Sequence, residues 1–303
     1  MQFRFIKYNF IWFTFSVLIL ALGVGAMVFH QIKTGSFLNF GIDFTGGSLV
    51  EYQFEKGSEI LPTELKETLD QQFPGKVNQV TSTGNGTHLV QARNFSEEEL
   101  TAVNAFLKKT YGSFELLRST SIGPKVGETL KKRAFMAIGI ALIAIILYIT
   151  YAFRHVPQRV SSWRFGWCAI IAMFYNVLAT VGFFAFIGYE VDSLFITALL
   201  TVMGFSVHDT ITVFDRIREN LKFQFRGQTF SDIADISLNQ TLVRSLNTGL
   251  CTLFTLVALL FFGAQSLRPF MLAMLFGILI GTYSSIFLAT PLLTLWQEWR
   301  RAR

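Results

Sequence analysis

The sequence predicts a polytopic α-helical membrane protein with six transmembrane helices and one soluble α+β domain between the first helix and the second. Hydrophobic residues make up 51% of the 303 residues and charged residues only 15%. Ordinary soluble domains carry about 25% charged residues. Six segments are apolar over the roughly 20 residues that a bilayer-spanning helix needs. The polar stretch 30–132 separates the first of these segments from the other five.

The predicted spans are 10–29, 133–153, 165–188, 193–214, 242–263 and 269–296. Arg4 and Lys7 precede the first span as they would in a signal peptide. That span runs for about 20 residues, and no small-residue cleavage site follows it, so we predict a retained helix after a short tail, 1–9. The last span is long enough to tilt or to continue along the membrane interface.

The positions of Lys and Arg predict the orientation of the spans. Basic residues lie before the first span, in the loops 154–164 and 215–240, and after the last span. The opposite short loops carry Glu190 and Asp192 or no charge at all. Both termini are therefore expected in the cytoplasm and the polar domain outside. In a bacterium this means a multi-pass inner-membrane protein with a periplasmic domain.

The polar stretch 30–132 has the pattern of a small sheet covered by helices. The predicted elements are strand 48–54, helix 62–73, strands 76–82 and 88–92, helix 96–109 and strand 114–119. Gly84-Asn85-Gly86 predicts a hairpin turn, and Ser96 with Glu99 predicts a capping box. The order β-α-β-β-α-β is the ferredoxin-like pattern. Such a domain binds partners more often than it catalyses reactions.

The loop after the fourth span is basic and amphipathic. Residues 215–220 are charged or polar except Ile217, and Leu221, Phe223 and Phe225 follow them. This pattern favours a helix lying on the inner membrane surface. An ordinary loop that obeys the positive-inside rule explains the same residues equally well.

Several classes of chemistry find no support in the sequence. The two cysteines, Cys168 and Cys251, lie inside apolar runs and have no zinc-binding spacing. Gly204-Phe205-Ser206 lacks the second glycine of a nucleophile elbow, and the glycines at 123 and 127 lack the end of a phosphate loop. The net charge of +6 belongs to membrane-flanking loops, so it does not indicate nucleic acid. We therefore predict neither an enzyme nor a cofactor site.

Asp209 is the most informative residue. It lies in the fourth span among otherwise uncharged residues, about 9 Å of helix from Asp215 at the expected cytoplasmic end. A carboxylate at that depth costs a few kcal/mol, and desolvation favours its protonated form. Asp209 is thus a candidate to bind and release a proton near neutral pH. The alternative is a structural Asp that is hydrogen-bonded to a neighbouring helix.

Arg244 and His208 are the candidate partners of Asp209. Arg244 begins the fifth span, and a short loop makes the fourth and fifth spans neighbours, so its guanidinium is expected to reach toward Asp209. The alternative is an interfacial arginine that extends to the cytoplasm. His208 lies about 100° round the helix from Asp209 and so faces elsewhere. It is either a relay group or a hydrogen-bonding group between helices.

Glycines predict close backbone packing at two places. The segment Gly41–Gly47 lies just outside the first span, and its two adjacent glycines suit a sharp turn into the first strand. Asp43 is expected to bond local backbone amides. In the sixth span, Ala273, Gly277 and Gly281 recur every four residues and form a small face for helix packing.

Three segments together resemble the SecF family of protein translocase subunits. They are G-I-D-F-T-G-G at 41–47, V-M-G-F-S-V-H-D-T at 202–210 with V-F-D-R-I-R-E-N at 213–220, and S-L-N-Q-T-L-V-R-S at 237–245. The resemblance covers nearly the whole chain. The residues that match the motifs, besides Asp209 and Arg244, are Gly41, Asp43, Phe44, Gly46, Gly47, Gly204, Thr210, Asp215, Arg216 and Arg218.

The resemblance implies a function that composition does not. SecF pairs with SecD, and the pair joins the SecYEG channel, with YajC and YidC as further components. Each subunit supplies one six-helix half of an assembly similar to transporters of the resistance–nodulation–division type. Protons, the coupling ion, cross the membrane part while the outer domains act on the translocating preprotein. Asp209 and Arg244 match the family's intramembrane Asp and its motif Arg.

The sequence departs from the family at two positions and leaves other functions open. Family members often have Tyr where Phe205 stands and Asn where His208 stands, so no role carries over to His208. A scaffold that only stabilises the translocon would not need Asp209 or Arg244 as charges. A half-transporter for small molecules or lipids would need a larger outer domain than 30–132.

Overall fold

The computed structural model describes residues 3–54, 60–84, 86–93, 95–154, 162–223 and 228–299. The chain forms two compact units, one of Met1–Asn39 with Ala137–Arg303 and one of Phe40–Met136. In chain order, the elements are α1 (Asn9–Thr34), α2 (Ile42–Thr45), β1 (Gly47–Phe54), α3 (Pro62–Gln72), β2 (Val77–Gly84), β3 (Thr87–Ala92), α4 (Glu97–Tyr111), β4 (Phe114–Ile122), α5 (Pro124–Ala152), α6 (Ser162–Ile187), α7 (Ser193–Phe223), α8 (Phe230–Phe262), α9 (Arg268–Ser284) and α10 (Thr290–Trp299).

The first unit is a bundle of long apolar helices. Within the described residues, six helices have the length and composition to cross a membrane: Ile6–Thr34, Pro124–Ala152, Trp163–Ile187, Ser193–Lys222, Phe230–Phe262 and Arg268–Trp299. The prediction of six transmembrane helices is confirmed. The last of them contains a π-helical turn, Ser285–Ala289, which joins α9 to α10.

The segment 215–220 belongs to the fourth transmembrane helix. The expectation of a separate surface helix is wrong, because α7 continues without a break from Ser193 to Phe223. Ile217 and Leu221, which would face lipid headgroups in a surface helix, are 0% and 2% exposed and lie in the apolar core of the bundle. Phe225, part of the same expectation, lies outside the described residues.

Small residues bring α9 directly against α7. A Cβ atom at Gly277 would meet Val202 Cγ2 at 2.4 Å, and one at Gly281 would meet Ser206 Cβ at 3.3 Å. This confirms the small face for these two glycines. The close approach puts side chains of α9 within hydrogen-bonding reach of the polar residues of α7.

One end of the bundle holds the start of α1 together with the start of α8. Asn239 and Phe3 exchange hydrogen bonds: the Phe3 backbone N–H donates to Asn239 Oδ1 at 3.1 Å, and Asn239 Nδ2 donates to the Phe3 carbonyl at 2.8 Å. The Ile6 N–H donates to Asp235 Oδ1 at 3.1 Å. We call this the N-terminal end of the bundle.

The second unit is a four-stranded antiparallel sheet with the strand order β2-β3-β1-β4. Apolar residues of β1 and β3 pack with residues of α3 and α4 in one core, whose fully buried members include Val50, Leu65, Leu69, Val90 and Leu107. This order and the βαββαβ succession confirm the ferredoxin-like prediction. The capping box of α4 is formed as predicted. Asn85, the centre of the predicted hairpin turn, lies outside the described residues.

Two polar groups of this domain have shifted ionisation for identifiable reasons. Tyr52 is buried, its hydroxyl donates to Asn104 Oδ1 at 2.8 Å, and burial raises its pKa. Glu99, in the capping box, also accepts from Lys76 Nζ at 2.7 Å. That hydrogen bond, followed by the backbone bond from Ser96, lowers the pKa of Glu99.

His88 makes the stability of the domain depend on pH. It is 2% exposed, its Nδ1 has no hydrogen-bond partner, and burial lowers its pKa. The folded domain therefore binds a proton at His88 less readily than the unfolded chain does. The stability from the neutral form is complete above about pH 6.5 and is lost as the pH falls through the folded-state pKa.

We expect the melting temperature of the domain to fall more steeply between pH 7.5 and pH 5.5 in the natural chain than in a His88→Leu variant. The measurement is thermal unfolding of the purified full-length proteins, in which proteolysis of the 40–136 unit is the signal of unfolding. It gives the slope of melting temperature against pH for the natural chain and for the variant. Equal slopes in the two proteins would show that His88 does not contribute.

Candidate functional site

The glycine pair of the segment 41–47 fixes a turn that no other residue fits. Gly46 and Gly47 have φ angles of +71° and +132°. A Cβ atom at Gly46 would lie 2.7 Å from Pro124 Cα, and one at Gly47 would lie 2.5 Å from the Ala92 carbonyl oxygen. The motif therefore packs α2 and β1 against β3 and the start of α5. Its role within this unit is structural.

The rest of the motif forms the short helix α2. Gly41 precedes it in extended conformation and its carbonyl accepts from the Phe44 N–H at 3.1 Å. Phe44 is 7% exposed, and Asp43 lies in the first turn of the helix, where a carboxylate is favourable. Gly41 and Phe44 thus have local packing roles, and the bonding of Asp43 to backbone amides stays a prediction.

Asp209 lies inside the bundle, with 3% of its surface exposed. Its Oδ2 accepts from Thr282 Oγ1 of α9 at 3.4 Å. Its Oδ1 lies 3.8 Å from His208 Nδ1. Counting about 1.5 Å per residue from Ser193, Asp209 lies about 24 Å along α7, within the apolar part of the helix. The carboxyl is therefore enclosed within the bundle and not exposed on its surface.

A cavity of about 620 Å³ lies next to Asp209, between α5, α7 and α8. His208 lines it, and the His208 side chain is 66% exposed there, whereas Asp209 faces α9. The predicted difference in facing between the two neighbours is confirmed. The lining residues are Ile145, Tyr148, Gly204, Val207, His208, Ile211, Thr212, Asp215, Arg216, Glu219, Thr241 and Arg244.

Arg244 lines the cavity and does not pair with Asp209. Among the described residues, no ion pair joins these two side chains, so the expected contact is absent from this structure. The reason is the facing of α7: its cavity side carries His208, and Asp209 points about 100° away, toward Thr282. The sequence correctly predicted that the two residues lie on neighbouring helices. In the structure, however, they do not lie on facing sides of those helices.

The charged end of α7 forms a network with its neighbours. Arg218 pairs with Asp215 and donates to the Ala152 carbonyl of α5 at 3.2 Å. Arg216 donates to Gln240 Oε1 of α8 at 2.7 Å and pairs with Glu219 at 2.6 Å. These bonds tie three helices together at the N-terminal end, so this motif has a structural role in the isolated chain.

A row of polar side chains lies in the bundle interior, and sequence reasoning did not identify its members Asn176, Thr282 and Ser285. Asn176 of α6 donates to Ser206 Oγ of α7, and Thr210 shares a hydrogen bond of 2.9 Å with Ser285 of the π turn. Thr282 contacts Asp209 itself. The hydroxyl-rich run 281–285 in an otherwise apolar span was the signal that would have indicated this row.

Within the part of the chain that the structure describes, no group of three or more His, Cys, Asp or Glu side chains could hold a metal ion. His208, on the same helix as Asp209, lies 3.8 Å from its carboxylate, and the titratable or charged groups that line the cavity beside it include Tyr148, Arg244 and Asp215. The site therefore consists of the buried carboxyl of Asp209, an open polar cavity, and the imidazole of His208 between them.

Two family models match the sequence. One describes the C-terminal region of the protein export membrane proteins SecD and SecF and covers residues 102–299. The other describes the SecD/SecF GG motif and covers residues 38–57, which include the glycine turn.

Similar proteins and structures agree with the family models. The chain is 45% identical over 277 residues to protein translocase subunit SecF of Thermobaculum terrenum, covering 86% of this chain and 85% of that protein. It is 37% identical over 303 residues to SecF of Sebaldella termitidis, covering 99% and 94%. The crystal structure of SecDF from Thermus thermophilus, a translocon-associated membrane protein, matches 98% of this chain with a TM-score of 0.84 and 33% identity. The chain spans 39% of that longer protein.

Proposed function

We propose that this chain, which belongs to the SecD/SecF family of protein export membrane proteins, couples proton movement through the membrane to protein export. It is a multi-pass subunit of the SecF type in the Sec translocase. The observation that carries the proton-coupling proposal is Asp209, a carboxyl 3% exposed in an apolar helix beside an open polar cavity. Ionisable residues so placed in membrane proteins commonly belong to ion pathways.

In the proposed mechanism, Asp209 alternates between its protonated and ionised forms. Protons from the cavity reach it through His208, whose Nδ1 lies 3.8 Å from Asp209 Oδ1 and whose ring faces the cavity. An imidazole suits this exchange because one ring nitrogen can accept a proton while the other donates one. Loss of the Asp209 charge removes the need to solvate an ion inside the bundle, and the helices repack in response.

A SecD-type partner is the second part of the proposal. Arg244 is an exposed side chain on α8 that lines the cavity, and no described carboxylate forms an ion pair with it. A cation without a counter-charge inside a bilayer is costly. A second membrane half that covers this face would supply its counter-charge. The Thermus thermophilus relative is named protein translocase subunit SecDF, and it is 35% identical over 88% of this chain. The matching region makes up only 35% of the length of that protein. Its length accommodates such a half in the same polypeptide.

The remaining members of the proposed assembly follow from the family. They are the SecYEG channel with YajC and YidC, a translocating preprotein and the surrounding lipid. The proposed orientation places both termini in the cytoplasm and the 40–136 unit in the periplasm. It is supported by the Lys and Arg residues of the N-terminal end.

The test begins with co-purification in mild detergent of the full chain with a co-expressed SecD-type partner. The complex is then placed with the Sec channel in vesicles, and preprotein transport is measured with and without an uncoupler. We expect transport to fall when the uncoupler collapses the proton gradient. Equal transport in both conditions, with the complex present, would support a passive scaffold instead.

Replacing Arg244 by Gln is expected to remove most of the gradient-dependent part of transport, because the counter-charge of the partner half would stay unpaired. Arg244→Lys keeps the charge and is expected to retain part of this activity. Arg118→Gln, on the edge strand β4, serves as the control for loss of one arginine. Natural activity in Arg244→Gln would exclude a coupling role for the guanidinium.

A further inference from the structure

We propose that Thr282 is the positioning residue through which α9 responds to the protonation of Asp209. The inference rests on the proposed function of Asp209 and extends it to a second helix. Thr282 Oγ1 donates to Asp209 Oδ2 at 3.4 Å. Within the described residues, it is the neighbouring-helix side chain that hydrogen-bonds this carboxyl.

The position of the Thr282 hydroxyl is set by α8. A Cβ atom at Gly249 would lie 3.0 Å from Thr282 Oγ1 and 3.7 Å from its Cγ2. The threonine side chain therefore occupies the space that the glycine leaves, between α8 on one side and Asp209 on the other. Gly249 itself is buried. A glycine at this place in α8 gives Thr282 room to point its hydroxyl at the carboxyl.

The strength of this contact depends on the state of Asp209. A hydrogen bond to an ionised carboxylate is stronger than one to a neutral group. When Asp209 is ionised, Thr282 donates to it and holds α9 to α7. When Asp209 is protonated, the bond is weaker and the hydroxyl is free to turn toward its own helix. Binding of one proton at Asp209 thus weakens the attraction between α7 and α9.

The transmembrane helix that contains Thr282 has an irregular turn close to this residue. The π turn Ser285–Ala289 begins three residues further on. Ser285 hydrogen-bonds Thr210, the residue after Asp209, at 2.9 Å, and Thr290 Oγ1 donates to the Ser285 carbonyl at 3.2 Å. π turns inside α-helices occur frequently at functional sites. Thr282 therefore connects the carboxyl to a turn with a hydrogen-bonding pattern of its own.

The charged and titratable groups around Asp209 lie on its own helix and around the adjacent cavity. His208 lies on the same helix, and Arg244 of α8 and Tyr148 of α5 line the cavity. Asp215, Arg216 and Glu219 line the same cavity further along α7. From α9 and the π turn, the groups bonded to this part of α7 are the hydroxyls of Thr282 and Ser285. A substitution of Thr282 leaves all these charges in place, so a pH effect that it causes comes from the lost hydroxyl.

The experiment reads the protonation of Asp209 without using export. Dicyclohexylcarbodiimide is an apolar reagent that reacts with protonated carboxyls. The full-length protein is labelled over a range of pH, and mass spectrometry measures labelling of the peptide that contains Asp209. Asp209→Asn supplies the blank. We expect Thr282→Val, which removes the donor but keeps the shape, to retain labelling to a pH higher by about one unit.

Further variants separate positioning from packing. Thr282→Ser restores the donor and is expected to follow the natural profile, while Gly249→Ala displaces the hydroxyl and is expected to shift in the same direction as Thr282→Val. Thr201→Val and Gly139→Ala make the same chemical changes on exposed or open positions and are expected to leave the profile unchanged.

The outcomes distinguish this inference from the proposed function. An unshifted profile in Thr282→Val, or an equal shift in Thr282→Ser, overturns the positioning role even if export depends on Asp209. If Thr282→Val does not fold, the Gly249→Ala profile decides, since a natural profile there overturns the inference. Gradient-dependent export that survives in Asp209→Asn would reject the proposed function, and the labelling comparison would still test Thr282.

Discussion

An Asp209→Asn variant is expected to transport preprotein in the presence of a proton gradient no better than the natural protein does without one. Asn has nearly the volume of Asp and still accepts from Thr282, so packing in the bundle is kept, but it cannot take up or release a proton. Because Asp209 is 3% exposed, the neutral amide is also easier to bury than a carboxylate. The loss is therefore expected in coupling and not in assembly.

The measurement is the vesicle assay with and without an uncoupler, combined with co-purification of the SecD-type partner as a check on assembly. Glu298→Gln is the control, because Glu298 is an exposed carboxylate of the same helical bundle that does not line the cavity. It is expected to keep the gradient-dependent part. If Asp209→Asn kept that part too, Asp209 could not be the proton carrier.

The sequence was sufficient for the number of spanning helices because the signals were long and redundant. An apolar span of about 20 residues has few alternatives, and the ferredoxin-like order followed from strand and cap signals that act locally. The capping box at Ser96 is an example, since both of its hydrogen bonds join residues three positions apart. The surface-helix expectation for 215–220 failed because polarity at a helix end does not reveal that Ile217 and Leu221 are buried.

The site was only partly predictable because facing depends on packing between helices. The carboxyl at 209 was recognisable from its isolation in an apolar span, but its contacts were not. Arg244 was expected beside it and instead lines the cavity, while Thr282, 73 positions away, contacts it. A threonine in a transmembrane helix usually bonds its own backbone, as Thr248 does to the Arg244 carbonyl at 3.0 Å. The hydroxyl-rich run 281–285 sets Thr282 apart, but it does not indicate which neighbouring helix Thr282 contacts.

The second large effect is expected in the glycine turn. Gly47 has a φ of +132°, and a Cβ atom there would lie 2.5 Å from the Ala92 carbonyl oxygen, whose strand β3 pairs with β1. Gly47→Ala therefore carries both a backbone strain and a steric overlap with backbone that has little room to move. We expect the free energy of unfolding of the 40–136 unit to fall by about 3 kcal/mol or more.

Gly112→Ala separates the two contributions. Gly112 also has a positive φ, +85°, but a Cβ atom there would meet nothing within 4 Å. Its substitution is expected to cost only the backbone term, about 2 kcal/mol. Hydrogen exchange of the β1 and β3 amides in the full-length protein measures both changes as a lower free energy of opening. Gly47→Ala could instead lower the free energy of opening no more than Gly112→Ala does. In that case the close approach to Ala92 would not be the reason for glycine at position 47, and the reason would lie in a contact outside this domain.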